Sequence, residues 1–349
     1  MAAACAGPAS AEGGAAPSRP AFTLDNDTLK GYGINPDLIV SVHLSDGAKR
    51  IVIAEHRPGA DSLLHVLGED GRYLFGVPVP SPQLVDFALD GEGRKAFLVG
   101  SYGTRFYLAD LVERKARLIL SSQPDRPGFR ALTPVSIVRG AEGPVVYGLF
   151  YSDEKTSRDL GFARVNEDGS ATNVLSTLEW ERKFPRMSNC FPSPDLKAAL
   201  IVHQAAGSAE PAKAKVKRLV LAKPGAEEKE LDSADDFVGA SWAPNGLSIV
   251  YVRQLGSTRQ LLMRLLSWDK PVVLAEGMYF SPKYLADRRL VVSSIEGKTD
   301  QALWTMEAPT GPLQRVEVAG KLALYAADPA GQALAAWGPW GLSVFRFRE

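Results

Sequence analysis

The sequence predicts an all-β protein made of repeated four-stranded sheets, and two observations support this prediction. First, a short apolar strand follows a tight polar turn seven times, most clearly in SWAPNGLSIVYV at residues 241–252. Second, these turns recur roughly every 42 to 50 residues, as from Asp46 to Asp90 and from Asn245 to Asp287. That spacing is typical of one four-stranded blade per repeat. We therefore predict a seven-bladed β-propeller, with six blades as the alternative if one weak repeat is misread.

The predicted blades follow one another along the chain. Blades one to six are expected at residues 37–80, 81–122, 131–178, 187–232, 236–276 and 277–319. Their strands alternate apolar and polar residues with a period of two, and helical periodicity is almost absent. The turns GEDG at 68–71 and NEDG at 166–169 occupy equivalent places in two blades. Asp-Gly favours such hairpins because glycine adopts a positive φ without steric cost.

The last blade is expected to need a strand from the N-terminus. Residues 320–349 hold only three predicted strands, and residues 21–33 are the candidate for the fourth. Pairing the first and last segments of the chain closes the ring and leaves no broken sheet at the seam. The sequence thus predicts one propeller domain over residues 21–349.

The first twenty residues, MAAACAGPASAEGGAAPSRP, are expected to form a disordered leader or tether because they are small, rich in Pro, Gly, Ser and Ala, and almost uncharged. The run of Ala3, Ala4 and Cys5 before a small-residue linker resembles the end of a bacterial lipoprotein signal, in which Cys5 would carry the lipid. That interpretation predicts a periplasmic or outer-membrane-associated protein with a lipid anchor. The alternative is an incidental cysteine in an Ala-rich N-terminus and a cytoplasmic protein.

The composition excludes several classes of partner. Forty Lys and Arg residues balance forty Asp and Glu residues, so no overall field attracts nucleic acid or an anionic membrane surface. No stretch reaches the roughly eighteen apolar residues of a membrane span. Cys5 and Cys190 are the two cysteines, and a structural disulfide is not expected between them.

A short motif in the repeat suggests a family. An aromatic residue precedes a proline-containing turn at Trp242, Pro244, Asn245 and Gly246, and again at Phe191, Pro194 and Asp195. This pattern resembles the WD-like repeat of the TolB-type propellers, and the resemblance implies a fold more than a function. Independently of that resemblance, we expect Asn245 or Asp46 to bond the turn backbone and Trp242 to fill space between blades.

No linear catalytic motif is present in the chain. It has neither a Gly-x-Ser-x-Gly nucleophile elbow nor a glycine-rich phosphate loop between a strand and a helix. The four histidines are His43, His56, His65 and His203. Their spacing is not that of metal ligands, so neither a metal nor a cofactor is predicted. The run LDNDT contains Asp25 and Asp27 but lacks the glycine of a calcium loop, and it is expected to form a polar turn or exposed strand.

One inter-blade connection has the composition of a binding site. LEWERKFPR at residues 178–186 combines aromatic and basic residues, as hot spots in protein interfaces do. The candidate binding residues in it are Trp180, Arg182, Lys183, Phe184 and Arg186. SQPDRPGFR at 122–130 adds Arg130 one blade earlier. The alternative is a solvated loop whose aromatic residues tuck onto the ring.

Two classes of function follow from these observations. The leading hypothesis is a non-catalytic protein-interaction scaffold, associated with the bacterial envelope. The alternative is a propeller enzyme of the lactonase, lyase or glycosidase type that uses the central channel, since propeller enzymes often lack linear motifs. The sequence leaves open the identity of the partner, the oligomeric state of the protein itself and any catalytic role of the channel.

Overall fold

The computed structural model describes residues 19–81, 83–100, 105–121, 132–140, 143–151, 158–168, 171–176, 178–184, 187–204, 216–285, 289–296, 300–307, 311–328 and 331–347. Within these ranges almost every regular element is a strand. The first strand is β1 (Phe22–Leu24). Two short α-helices are described, α1 (Asn26–Gly31) and α2 (Leu178–Lys183), together with single 3-10 turns at Pro36–Leu38 and Asp46–Ala48.

The described strands form seven four-stranded antiparallel sheets. The first three consecutive sheets are β2–β5 (Ile39–Leu44, Arg50–Glu55, Ser62–Gly68, Tyr73–Val79), β6–β9 (Leu84–Leu89, Lys95–Gly100, Arg105–Asp110, Lys115–Ser121) and β10–β13 (Leu132–Gly140, Gly143–Tyr151, Arg158–Val165, Ala171–Ser176). The next three are β14–β17 (Met187–Pro192, Ala199–Gln204, Lys217–Ala222, Lys229–Ala234), β18–β21 (Asp236–Trp242, Ser248–Leu255, Thr258–Leu265, Val272–Glu276) and β22–β25 (Tyr279–Tyr284, Arg289–Glu296, Asp300–Glu307, Gln314–Val316). The remaining sheet joins β1 to β26–β28 (Leu324–Ala327, Ala333–Gly338, Gly341–Arg346) in the order β1-β28-β27-β26.

The first strand of each consecutive sheet is its innermost strand. β2 contacts both β6 and β26, β6 contacts β10, and β18 contacts both β14 and β22. The sheets therefore lie side by side around a common axis, as the blades of a β-propeller do. Neighbouring strands within each blade are antiparallel. The turn between the second and third strands of a blade and the connection to the next blade therefore lie on the same face of the ring. We call that face the upper face and the opposite face the lower face.

The N-terminal strand pairs with the last strand of the chain, as the sequence predicts. Phe22 lies opposite Val344 and Leu24 opposite Leu342 in an antiparallel register. The strand is shorter than predicted, because α1 begins two residues after it. The Asp25 carboxylate accepts a hydrogen bond from the Thr28 N–H (2.8 Å) and caps this helix. The prediction that Asp25 and Asp27 form a turn or exposed strand is therefore wrong.

Apolar side chains fill the space between neighbouring blades. Trp242 is buried among residues of two blades, and its indole Nε1 donates to the Phe191 carbonyl oxygen in the preceding blade (3.0 Å). The Asn245 side chain accepts from the Leu247 N–H (2.9 Å), as predicted for the turn. The Asp46 backbone N–H donates to the Gly91 carbonyl oxygen of the next blade (3.0 Å). The repeated turns thus both shape each blade and connect it to its neighbour.

Candidate functional site

The predicted binding segment is a helix rather than an exposed loop. Trp180 and Phe184 lie on α2 and just after it, and both are buried, with Trp180 only 3% exposed. They pack with Phe162 of β12 and Ile201 of β15, so the helix fills the groove between two blades. This burial corrects the expectation that the two aromatic residues are presented to a partner. Their composition matched an interface because buried contacts between blades use the same residue types.

Of the basic residues predicted with them, Lys183 is exposed and its Nζ forms an ion pair with the Glu228 carboxylate. That hydrogen bond lowers the pKa of Glu228. The other candidates lie outside the described residues or side chains; they are Cys5, Arg130, the side chain of Arg182, and Arg186. Their binding and lipid-attachment roles stay predictions.

The upper face carries an apolar surface that the sequence did not single out. Leu255 begins the turn between β19 and β20, Met278 lies in the connection to the next blade, and Ile295 is near the upper end of β23. Their exposed fractions are 41%, 42% and 36%. The Ile295 N–H donates to the Met278 carbonyl oxygen (3.0 Å), which places these two residues side by side across the blade junction. We call Leu255, Met278 and Ile295 the upper patch.

Polar groups around the upper patch are held by bonds within the protein. The Asp235 carboxylate accepts from the Gly256 N–H (2.6 Å), beside Leu255. Arg259 Nη1 donates to the Tyr279 carbonyl (3.4 Å), and Arg315 Nη2 pairs with the Glu296 carboxylate (3.1 Å). The patch is therefore an apolar centre with a rim of both charge signs, which is the anatomy of many protein interfaces.

A second cluster combines buried titratable side chains in the first blade. The Glu55 carboxylate accepts from His65 Nε2 (2.8 Å), from Arg57 Nε (2.6 Å) and from the Asn35 N–H (3.1 Å). The Tyr73 hydroxyl lies 3.5 Å from His65 Nδ1. Burial by itself would raise the pKa of Glu55, but the three hydrogen bonds outweigh it and lower the pKa. Burial also lowers the pKa of His65, so its imidazole is neutral near pH 7.

This cluster joins the N-terminal segment to the first blade. Asn35 follows α1, and the ring of Tyr32, at the C-terminal end of α1, stacks on Tyr73 with centroids 5.5 Å apart. Glu55 and His65 are each 1% exposed. A dissolved substrate cannot reach side chains buried this deeply. The arrangement is therefore suited to fastening the closing segment rather than to acid–base catalysis.

The innermost strands carry one strained position. Ser281 on β22 is exposed and has a φ of +50°, a conformation that costs energy for a residue other than glycine. The Tyr325 hydroxyl of the next blade donates to the Ser281 carbonyl (2.7 Å), and the Lys283 ammonium lies 4.9 Å from the centre of the Tyr325 ring. Burial raises the pKa of Tyr325 to about 12. Gly239 makes room for the bend, since a Cβ there would lie 3.1 Å from Pro282.

Within the described ranges, no three His, Cys, Asp or Glu side chains lie together in a way that could hold a metal ion. His65 bonds to Glu55, while His43 and His203 contact the rings of Phe87 and Phe184. Across that same part of the chain, the helices are too short and too polar to span a bilayer.

Comparisons with known proteins show the fold. No family model matches the chain, and no curated protein matches it. An oligogalacturonate lyase in complex with manganese has a TM-score of 0.60 at 13% identity and covers 95% of each chain. The oligogalacturonate lyase from Vibrio parahaemolyticus has a TM-score of 0.59 at 12% identity, over 90% of this chain and 93% of that one. The Cps50 (Swd1) β-propeller domain of Myceliophteria thermophila has a TM-score of 0.53 at 11% identity, over 89% and 96%. At these identities the similarity establishes a β-propeller fold alone.

Proposed function

We propose that the protein is a non-catalytic propeller that binds another protein through the upper patch. The observation that supports this most directly is the exposure of Leu255, Met278 and Ile295 together at one blade junction. Apolar side chains left in water cost free energy, and their grouping at one place on a folded surface is typical of an interaction site. Methionine is also suited to such a surface because its flexible side chain adapts to a partner.

The surroundings of the upper patch favour a folded protein as the partner. A polyanion or an anionic membrane would require a surface of one positive sign, whereas this rim pairs Arg315 with Glu296 and places Asp235 close by. The chain as a whole has equal numbers of acidic and basic residues. We infer a partner that presents apolar side chains surrounded by polar groups of both signs.

We further propose that the ring has seven blades rather than six. Seven four-stranded sheets among the described strands support this count, and one of them includes β1 beside β28. A scaffold benefits from such closure, because the shared sheet joins the two ends of the chain and keeps the faces of the ring rigid. An experimental structure that showed six sheets around the axis would contradict the seven-blade count.

A charge placed in the upper patch tests the binding proposal. Met278→Lys should fold normally, because the side chain is exposed. A specific partner that the wild-type protein captures should be missing when the variant is used for the same capture. With the partner purified, we expect the affinity to fall at least about tenfold, as for an interface hot spot. Val112→Lys is the matched control, because Val112 is 55% exposed in a turn of another blade. Equal affinities for wild type and both variants would overturn the proposal.

Envelope association through Cys5 is a separate proposal, supported by the small-residue sequence around that cysteine. The intact mass of the protein purified from bacterial membranes should include acyl chains, and Cys5→Ser should release the protein into the soluble fraction. An unmodified wild-type protein in the soluble fraction would contradict it.

A second candidate function is an enzyme that uses the central channel. Two observations favour it, namely the strained and exposed Ser281 beside Lys283, and the similarity over 95% of the chain to an oligogalacturonate lyase. Incubation with oligogalacturonate and manganese tests it, because a lyase produces unsaturated sugar ends. Product formed by the wild type and lost in Ser281→Ala and Lys283→Met would favour this function over the scaffold. We expect no product.

A further inference from the structure

The turn between β18 and β19 contains the one Asn-Gly pair of the chain, Asn245-Gly246. The other five asparagines are followed by Asp, Pro, Glu, Val or Cys. Asn245 is exposed at the lower face, and Gly246 has no β-carbon beside its backbone nitrogen. A Cβ built at Gly246 would meet no heavy atom within 4 Å beyond the adjoining residues. The backbone nitrogen of Gly246 is therefore unusually accessible to a reacting group and to water.

A hydrogen bond in this turn orients the Asn245 side chain. The Leu247 N–H donates to Asn245 Oδ1 (2.9 Å), and this bond folds the carboxamide back over the backbone. The ring that the bond closes includes both Cγ of Asn245 and the nitrogen of Gly246, so these two atoms are held near each other. A nucleophile that added to Cγ would place negative charge on Oδ1. The Leu247 N–H is already positioned to stabilise that charge, as the donors of an oxyanion hole are.

One contact opposes a reaction at this nitrogen. The Gly246 N–H donates to the Ala243 carbonyl oxygen (2.9 Å), and this bond must open before the nitrogen can react. Local opening of an exposed turn costs much less free energy than unfolding of the blade. The bond therefore slows attack by the Gly246 nitrogen without preventing it.

We propose that Asn245 is a site of spontaneous deamidation, in which the backbone nitrogen of Gly246 is the nucleophile. Hydroxide removes the proton of the Gly246 N–H, and the nitrogen adds to Cγ of Asn245. The C–N bond of the carboxamide breaks, and its nitrogen takes up a proton from water and leaves as ammonia. Water then opens the resulting succinimide at either carbonyl carbon and gives aspartate or isoaspartate. The attack is favoured because both reacting groups belong to adjacent residues of one turn.

The preceding blade shows that an aspartate product fits this turn. Asp195 occupies the equivalent position, and its Oδ1 accepts from the Lys197 N–H (3.2 Å), two residues further on, as Oδ1 of Asn245 does. Leu196 follows Asp195 with a φ of +57°, close to the +69° of Gly246. Aspartate at position 245 therefore keeps the turn. An isoaspartate instead adds a methylene to the backbone and disrupts the bond between Gly246 and Ala243.

The reaction changes the charge of the lower face. It places a carboxylate two residues from Leu247, whose side chain is 65% exposed. This turn joins the first and second strands of its blade, so it lies on the face opposite the upper patch. The proposal therefore does not depend on the proposed binding function, and we expect partner binding through the upper patch to be the same before and after the reaction.

Mass spectrometry of the folded full-length protein during incubation at mildly alkaline pH tests the proposal. The tryptic peptide of residues 230–253 should gain the mass of –OH in place of –NH₂, and faster at higher pH. The rate should equal or exceed that of the synthetic peptide Trp-Ala-Pro-Asn-Gly-Leu-Ser. Gly246→Ala should lower it at least about tenfold, because a β-carbon beside the attacking nitrogen raises the barrier.

Gly256→Ala is the matched control for that variant. Gly256 lies in the next turn of the same blade, also with a positive φ and open space around it, and it does not follow an asparagine. Its variant should deamidate at the wild-type rate. Gly246→Ala should still fold, since Leu196 has a side chain in the same backbone conformation. Asn245→Asp, which reproduces the main-chain-preserving product, should melt at the wild-type temperature.

Four results would overturn the proposal. One is a rate in the folded protein far below that of the synthetic peptide, since the turn would then protect Asn245. Another is a wild-type rate in Gly246→Ala. The third is a mass change located at another asparagine instead of Asn245. The last is a clearly lower melting temperature for Asn245→Asp, which would show that the turn does not accept the aspartate.

Discussion

His65 Nε2 donates to the Glu55 carboxylate over 2.8 Å, with both side chains buried beneath the segment that closes the ring. The Asn35 N–H of that segment bonds to the same carboxylate oxygen. The ionised Glu55 and the neutral His65 therefore hold the N-terminal segment against the first blade, and the strength of this attachment depends on pH.

The first prediction concerns that pH dependence. The pKa of His65 is lowered in the folded protein, so the unfolded chain takes up a proton on this residue first as the pH falls below about 6.5. The pKa of Glu55 is also lowered, and its contribution is lost at still lower pH. The contribution of Glu55 and His65 to the free energy of unfolding should therefore be constant near neutral pH. This contribution should decrease as the pH is lowered.

Chemical denaturation of the wild type and of His65→Gln at pH 7.5 and 5.5 checks this dependence. Glutamine can still donate to Glu55 but does not titrate, so the acid-induced loss should be smaller in the variant. His56→Gln is the matched control and should keep the wild-type loss, because His56 makes no hydrogen bond to Glu55. A variant His65→Gln that loses as much stability as the wild type would show that this pair is not responsible.

The second prediction concerns the pairing of β1 with β28. Gly341 has a φ of +120°, and a Cβ there would lie 2.1 Å from the Leu24 carbonyl oxygen. Gly341→Ala should therefore displace β1 and lower the free energy of unfolding by about 3 kcal/mol. Gly246→Ala should cost only about 1 kcal/mol, because Gly246 also has a positive φ but open space around it. Thermal unfolding of both variants measures the difference.

Truncation provides an independent check of the same closure. Removal of residues 1–36 deletes β1 and α1, whereas removal of residues 1–19 leaves both in place. The longer truncation should melt at a much lower temperature. Equal melting temperatures for the two proteins would rule out a stabilising role for the N-terminal strand.

The third prediction concerns the segment that the sequence suggested as a binding site. Trp180 is buried between two blades, so Trp180→Ala should lower the free energy of unfolding by about 3 to 5 kcal/mol. Lys183→Ala, on the same helix, should cost less than about 1 kcal/mol because its ion pair is at the surface. Urea denaturation distinguishes the two. Similar stabilities for both variants would mean that Trp180 is not packed in the groove.

The fourth prediction concerns the contact between the fourth and fifth blades. Trp242→Phe keeps most of the apolar packing but removes the hydrogen bond to the Phe191 carbonyl, so it should cost about 1 kcal/mol. Trp242→Ala also leaves a cavity and should cost about 3 to 5 kcal/mol. If Trp242→Phe is as unstable as Trp242→Ala, the hydrogen bond of the indole N–H contributes more to stability than the packing of the ring does. That result would contradict the prediction.

Local sequence determined the strands, the turns and the repeat. A strand such as β19 follows from alternating apolar residues after Asn245-Gly246, because both the turn and the alternation are properties of neighbouring residues. The missing strand in the last blade likewise indicated that β1 would pair with β28.

Tertiary structure decided which side chains are exposed. Trp180 is buried because a groove between two blades receives it, and Met278 and Ile295 are both exposed and lie side by side across a blade junction although they belong to different elements. The bond between His65 and Glu55 likewise depends on how α1 and its following segment cover the first blade. Exposure and such contacts depend on the packing of elements from different blades, which the pattern of residues along a single strand does not specify.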